Sequence, residues 1–206
     1  MIVHNYDLFE NCYRVRLVAS CTEQALDLVN VDAFPGEEEK SATYLKLNPL
    51  GRLPILEDGD LVLRNLSAIL IYVAEQDTQK RFIPTDAKER ARMMDWLGFA
   101  CDDLAVAVNA RAVALLDAPG DVAELRQKAR ALFRVADDHM TRQTLLDADF
   151  LAGDAPSLAD LALFPAFALC RDFNLDHDEF PALRLWARRV RKLSGFITMP
   201  GIPDYH

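Results

Sequence analysis

Residues 48–75 read NPLGRLPILEDGDLVLRNLSAILIYVAE, and within them the apolar period changes. The run RLPILEDGDLVLR predicts two apolar strands joined around Asp58-Gly59, a favoured two-residue hairpin turn. From Leu66 the spacing becomes helical, with Leu66, Ile69, Leu70, Val73 and Ala74 on one face. The junction is Asn65-Leu66. The first amides of a helix have no partner within it, so a helix leaving a sheet edge is a natural seat for a carboxylate or phosphate. A small hydroxyl would serve such an anion better than leucine, so Leu66 needs an explanation. Pro54 cannot donate to a ladder. It is either an edge-strand proline or part of a cis Leu53-Pro54 bond that turns the Leu53 main chain toward a ligand.

Upstream, MIVHNY predicts a strand, CYRVRLVASCTEQA has helical spacing, and LDLVNVDAF is extended. EEEKSATYLKLN predicts a short helix stopped at Asn48-Pro49, because proline disfavours a helical residue before it. The order over residues 1–76 is therefore β-α-β-α-β-β-α. Residues 77–86 are polar, contain Pro84 and suit a linker ending in a helix cap. Residues 87–206 carry helical signals almost throughout. AKERARMMDWLGFACDDLAVAVNARAVALL predicts one long helix, bent or straight. Pro119-Gly120 breaks the chain before Asp121, a capping residue. Ser157 and Asp160 stand at capping-box spacing, FPALRLWARRVRKL predicts a last helix, and the chain closes on a proline-rich tail.

The 206 residues are 51% apolar and 27% charged, with a net charge of −9. That surplus argues against nucleic acid or an anionic membrane as the main partner, while a local basic cluster still permits an anionic small molecule. MIVHNYDLFENCYRV lacks the basic-then-apolar pattern of a secretory signal, and no apolar run approaches the ~20 residues of a membrane span. Cys12, Cys21, Cys101 and Cys170 form no C-x-x-C pair, and His4, His139, His177 and His206 are scattered. The expectation is a cytoplasmic protein with no metal.

FENCYRVRL opens the first helix directly after a strand. In the field of that helix start Cys12 is either a low-pKa nucleophile or a buried small apolar residue. Asn11 reads as the N-cap and as an added side-chain donor, two compatible roles.

In this order, NCYRVRL, LKLNPLGRLPILEDGDLVL, AILIYVAE, FLAGDAPSLADLALFPAFA and FPALRLWARRVRKLSGF resemble the cytosolic glutathione transferases, bacterial members especially. The likeness runs nearly end to end. It implies an α+β thioredoxin-like N-terminal domain (1–76), a linker (77–86) and an all-α C-terminal domain (87–206). It also implies a homodimer, glutathione bound on the first domain, and an apolar site for a small-molecule electrophile between the domains. By resemblance, Leu53 pairs its backbone with the cysteinyl part of glutathione beside cis-Pro54. Lys40 and Arg52 stand where the family places groups for the glycyl carboxylate, though both also read as solvated surface charges. Asn11 matches an asparagine that in some members hydrogen-bonds the sulfur, which makes it the catalytic candidate.

Two departures stand out. Phe9-Glu10 replaces a Ser-Gly whose serine steadies the thiolate, bringing bulk and negative charge there. Asn65-Leu66 replaces a Glu-Ser that grips the γ-glutamyl carboxylate, and Ser67 lies roughly 100° further round the helix. One lost hydrogen bond to a charged group removes about 1.5–3 kcal/mol, roughly one to two decades of affinity. Three readings remain: a glutathione transferase-like enzyme, a binding or scaffold protein that keeps the fold without the chemistry, and a glutathione-dependent isomerase or lyase. For the first, the electrophile pocket is expected partly along the long helix with Trp96, Phe99 and Leu104 and the tail around Phe196 and Met199, with Tyr6 and Tyr13 as further hydroxyl donors. The aromatics also read as interdomain core, and Trp96 is read that way.

Overall fold

The computed structural model describes residues 1–202; the end of the proline-rich tail, with His206, lies outside the described residues. The first half is a four-stranded mixed sheet in the order β2-β1-β3-β4. Strand β1 (Ile2–Asn5) runs parallel to β2 (Asp27–Asn30) and antiparallel to β3 (Ile55–Asp58), which pairs antiparallel with β4 (Leu61–Leu63). Helix α1 (Glu10–Cys21) makes the β1–β2 crossover, α2 (Ala42–Leu47) precedes β3, and α3 (Leu66–Glu75) comes after β4. The remainder is helical: α4 (Ala87–Gly98), α5 (Ala105–Leu115), α6 (Val122–Leu145), α7 (Leu158–Ala168) and α8 (Pro181–Val190). Helices α1 and α3 both pack on α7, so one core runs from Val3, Val18 and Leu70 to Leu161 and Phe164.

Local chemistry sets most element ends. Asn65 accepts from the Ala68 amide and caps α3, Asp86 caps α4, and Asp121 caps α6. Asp160 closes the box at the start of α7. Its Oδ2 accepts from the Ser157 amide and hydroxyl, both at 2.8 Å, and its Oδ1 accepts from Leu151 N–H at 3.0 Å and Trp186 Nε1 at 2.8 Å. Four donors on one fully buried carboxylate tie α7 to α8 and to the loop before α7.

The structure revises four expectations. The hairpin pairs Asp58 with Leu61, so its two loop residues are Gly59-Asp60, and Gly59 takes the positive φ of 61° that the turn requires. EEEKSATYLKLN is not one helix: a single 3₁₀ turn, Glu38–Lys40, gives way at Ser41, which restarts the chain as the cap of α2. Phe9, not Asn11, occupies the N-cap of α1, with no side-chain cap bond. The long helix is two, separated by a π-helical turn at Phe99–Asp103. The wider turn rotates the facing of α5 relative to α4. Leu104 goes fully into the core, while Cys101 and Asp102 face the sheet domain.

Candidate functional site

Where the ends of β3 and β4, the start of α1 and the face of α5 meet, a cleft of about 670 Å³ opens, joined to a second chamber of about 270 Å³. Small-molecule sites commonly span roughly 300–1,000 Å³. Asn11, Arg52, Leu53, Val108 and Asn109 line both chambers and mark their junction.

At one end of the larger chamber lies the start of α3. Asn65 Oδ1 takes the Ala68 amide at 3.1 Å and the Ser67 hydroxyl at 2.8 Å. The Leu66 and Ser67 amides have no partner among the described residues, leaving two bare donors in the positive field of a ten-residue helix. Leu66 is half-buried and lines this chamber without filling it. Across from it stands Asp102, exposed, on the π turn. Two amides for an anion and a carboxylate for a cation together match the zwitterionic head of an α-amino acid. Neither Asp102 nor Cys101 was singled out from sequence, because only the π turn brings them to the cleft.

In the middle, the Leu53-Pro54 bond is cis. Neither N–H nor C=O of Leu53 bonds to other backbone among the described residues, although the residue is only 6% exposed. A buried residue with an unused main-chain donor and acceptor can pair with an extended peptide. The backbone here is braced by Asn48, whose Nδ2 donates to Arg52 C=O at 2.7 Å.

At the start of α1, Asn11 Oδ1 accepts from Arg14 Nη1 at 2.8 Å. Arg14 Nη2 donates to Glu10 Oε1 at 2.9 Å, and both ionic side chains are buried. Burial pushes the Glu10 carboxyl up, against the opposing pull of Arg14 and Arg111. The Glu10 carboxyl is buried within the protein and turned to Arg14. Arg111 of α5 pairs with Asp172 at 2.7 Å and donates to Leu8 C=O at 2.7 Å, clamping the helical half onto the loop before α1. Phe9 lines the smaller chamber and packs edge-on against Tyr6, ring centroids 4.9 Å apart.

The remaining candidates fall elsewhere. Lys40 is exposed and pairs with Glu37, whose hydrogen bond holds the ammonium above its usual range; it lines neither chamber. Cys12 is fully buried, and burial pushes its thiol up to about 12, the direction opposite to an activated nucleophile. The hydroxyls of Tyr6 and Tyr13 donate to Phe34 C=O at 3.0 Å and Ile197 C=O at 2.6 Å, so neither serves the junction. Trp96 lies against Phe99 and His139 rather than in the cleft, Leu104 and Met199 are buried, and Phe196 packs on Phe164. In place of the expected aromatic wall, Val108, Ala112 and Leu116 line the smaller chamber from the α5 side.

The family pattern described as glutathione S-transferase, N-terminal domain, matches residues 1–75, and that described as glutathione S-transferase, C-terminal domain, matches residues 112–193. The chain is 32% identical over 178 residues to glutathione S-transferase theta-2 of Homo sapiens, covering 82% of this chain and 72% of that protein. It is 28% identical to a probable maleylacetoacetate isomerase of Vibrio cholerae, covering 95% of this chain and 93% of the relative. A crystal structure from Rhodopseudomonas palustris, described as a possible glutathione S-transferase, superposes with a TM-score of 0.85 at 25% identity, covering all of this chain and 92% of the other.

Proposed function

The chain belongs to the glutathione S-transferase family, and from that premise we propose how its cleft acts. It is a glutathione transferase-like enzyme with glutathione as co-substrate. The γ-glutamyl carboxylate sits on the Leu66 and Ser67 amides with its ammonium near Asp102, the cysteinyl unit pairs with the Leu53 main chain beside Pro54, and the sulfur lies at Asn11. The observation that carries this reading is the pair of unused main-chain sites, at Leu53 and at the start of α3, facing one open cleft. Main-chain groups survive the exchange of serine for leucine, so the seat outlasts its hydroxyls. Asn65 acts through the cap that holds the two amides, and Arg52, exposed at the junction, is the cation nearest the glycyl end, with Lys40 a more distant one.

The thiolate attacks a small electrophile held in the smaller chamber. An Asn11 donor and the start of α1 favour the charged sulfur over the neutral thiol. With an activated chloronitrobenzene, sulfur displaces chloride at the ring carbon, and loss of either substrate abolishes the product. Asn11→Ala is expected to lower kcat/KM about 10- to 100-fold, the loss of one hydrogen bond to a charged group. An unchanged value removes Asn11 from the mechanism.

A glutathione-dependent isomerase is the second reading, favoured by the end-to-end similarity to the Vibrio relative. Thiol addition to a conjugated double bond, rotation and elimination would use the same sulfur position and return glutathione. Recovery of all glutathione after turnover of a cis-enedione separates it from transfer. We also propose a homodimer and a cytoplasmic location, supported by family membership and by the absence of any described helix long and apolar enough to cross a membrane. The proposed domain division places residues 1–76 and 87–206 either side of a linker. A monomer in sedimentation at micromolar concentration contradicts the dimer.

A further inference from the structure

We propose that Arg14, seated by Glu10, is a positioning residue that fixes which way round the Asn11 amide lies, so that its NH₂ group rather than its oxygen faces the junction of the two chambers. This rests on the reading that the glutathione sulfur lies at the start of α1.

The orientation of an asparagine amide is ordinarily ambiguous, since oxygen and nitrogen look alike. Here chemistry decides it. A guanidinium carries donors only, so the Asn11 atom 2.8 Å from Arg14 Nη1 has to be the acceptor oxygen. The other end of the amide is then Nδ2, which makes no hydrogen bond among the described residues, and Asn11 lines both chambers where they meet. A donor at that place favours a thiolate. The flipped amide would set its oxygen against the sulfur lone pairs.

Burial makes this assignment more than incidental. Arg14 is 0% exposed and Glu10 2% exposed, and Arg14 Nε has no hydrogen-bond partner. Replacing a buried ion pair by apolar groups of similar volume is often neutral or stabilising. An incompletely satisfied pair is therefore poorly explained by stability, whereas orienting Asn11 requires a donor-only group locked in place. Glu10 supplies the lock through Nη2 at 2.9 Å, leaving Nη1 for Asn11. The other charged groups around Glu10 are Arg111 and Asp172, already paired with each other at 2.7 Å and so not competing for Arg14.

The test tracks the thiolate absorbance of bound glutathione against pH, with calorimetry of S-methylglutathione as a binding control that lacks the thiol. Asn11→Ala removes the donor and is expected to lower the thiolate fraction at a given pH about tenfold. Asn11→Asp, which keeps an acceptor for Arg14, presents a second oxygen to the sulfur and should lower it further than Asn11→Ala. The double variant Glu10→Gln with Arg14→Met keeps the volume and leaves no buried charge unpaired. It should match Asn11→Ala in thiolate fraction while binding S-methylglutathione within about twofold of the unaltered protein. In that background Asn11→Ala should add nothing, a coupling that a merely structural role would not produce. A thiolate fraction in Asn11→Asp equal to or above that of the unaltered protein overturns the assignment, as does simple additivity between the double variant and Asn11→Ala. If the unaltered protein fails to bind S-methylglutathione, the functional reading falls and this proposal with it; if it binds but its thiol ignores these substitutions, only this proposal falls.

Discussion

At Leu66 the side chain and the main chain answer different questions. The isobutyl group gives up a hydroxyl, but its amide, with that of Ser67, stays bare at the head of α3. Leu66→Ser should add one hydrogen bond to a charged group and raise glutathione affinity about tenfold, read by calorimetry; a weaker complex would mean that the carboxylate does not sit there. Asp102→Asn removes the charge that the π turn offers to an ammonium and should weaken glutathione about 5- to 50-fold. It should leave N-acetylglutathione, which lacks that ammonium, unaffected. Equal loss for both ligands contradicts the assignment. At this scale the sequence is half readable. Asn11, Leu53 and Leu66 announce themselves by adjacency to a helix start or a proline. Glu10 and Arg14 also stand at the i, i+4 spacing of a helical ion pair, yet nothing local says that the pair is buried and turned to Asn11.

The elements are legible wherever a residue type carries its own reason. Asn65, Asp121 and the Ser157–Asp160 pair each satisfy amides that the helix cannot, so those boundaries can be read from a few residues at a time. The π turn at Phe99–Asp103, which packs on α7, has no such local signature. Without it, the expected electrophile wall includes Phe99 and Leu104, whereas Phe99 packs on Trp96 and Leu104 is buried. Asp160 shows how much one capping residue can hold. Asp160→Ala leaves Trp186 Nε1, the Leu151 amide and two groups of Ser157 without their acceptor. The expected destabilisation is about 3–5 kcal/mol, measured by denaturant unfolding. A loss under about 1 kcal/mol, the worth of a single ordinary hydrogen bond, would show that water or neighbouring carbonyls replace it readily.

Across the whole molecule, buried titratable groups link stability to pH in opposing directions. His139 and His177 are held below the usual imidazole value, mainly by burial, and each donates Nε2–H to a carbonyl, Leu151 at 2.8 Å and Phe167 at 2.9 Å. The unfolded chain takes up protons first, so stability is lost as pH falls through about 6.5 toward the lower folded values. Glu10 acts the other way. Its raised folded value makes the native state bind the proton more readily, so stability falls as pH rises from about 4.5. His177→Gln, which keeps an N–H donor, should therefore flatten the decline in unfolding free energy between about pH 7 and pH 5; an unchanged slope would place the proton uptake elsewhere. The same interdomain contacts shape the site. Arg111 reaches from α5 to Leu8 C=O, and Val108 and Asn109 close the junction opposite Leu53. Composition foretells none of this, since it emerges only when α5 is laid against the start of α1.

The central claim is that bare main-chain groups at α3 and Leu53 seat glutathione although Leu66 and Phe9 offer no side-chain hydroxyl there. Titration calorimetry of the unaltered protein with reduced glutathione tests it most directly. The expected result is saturable binding at one site per chain, in the micromolar to low millimolar range. Absence of any saturable heat at millimolar glutathione, with the protein folded, would contradict it.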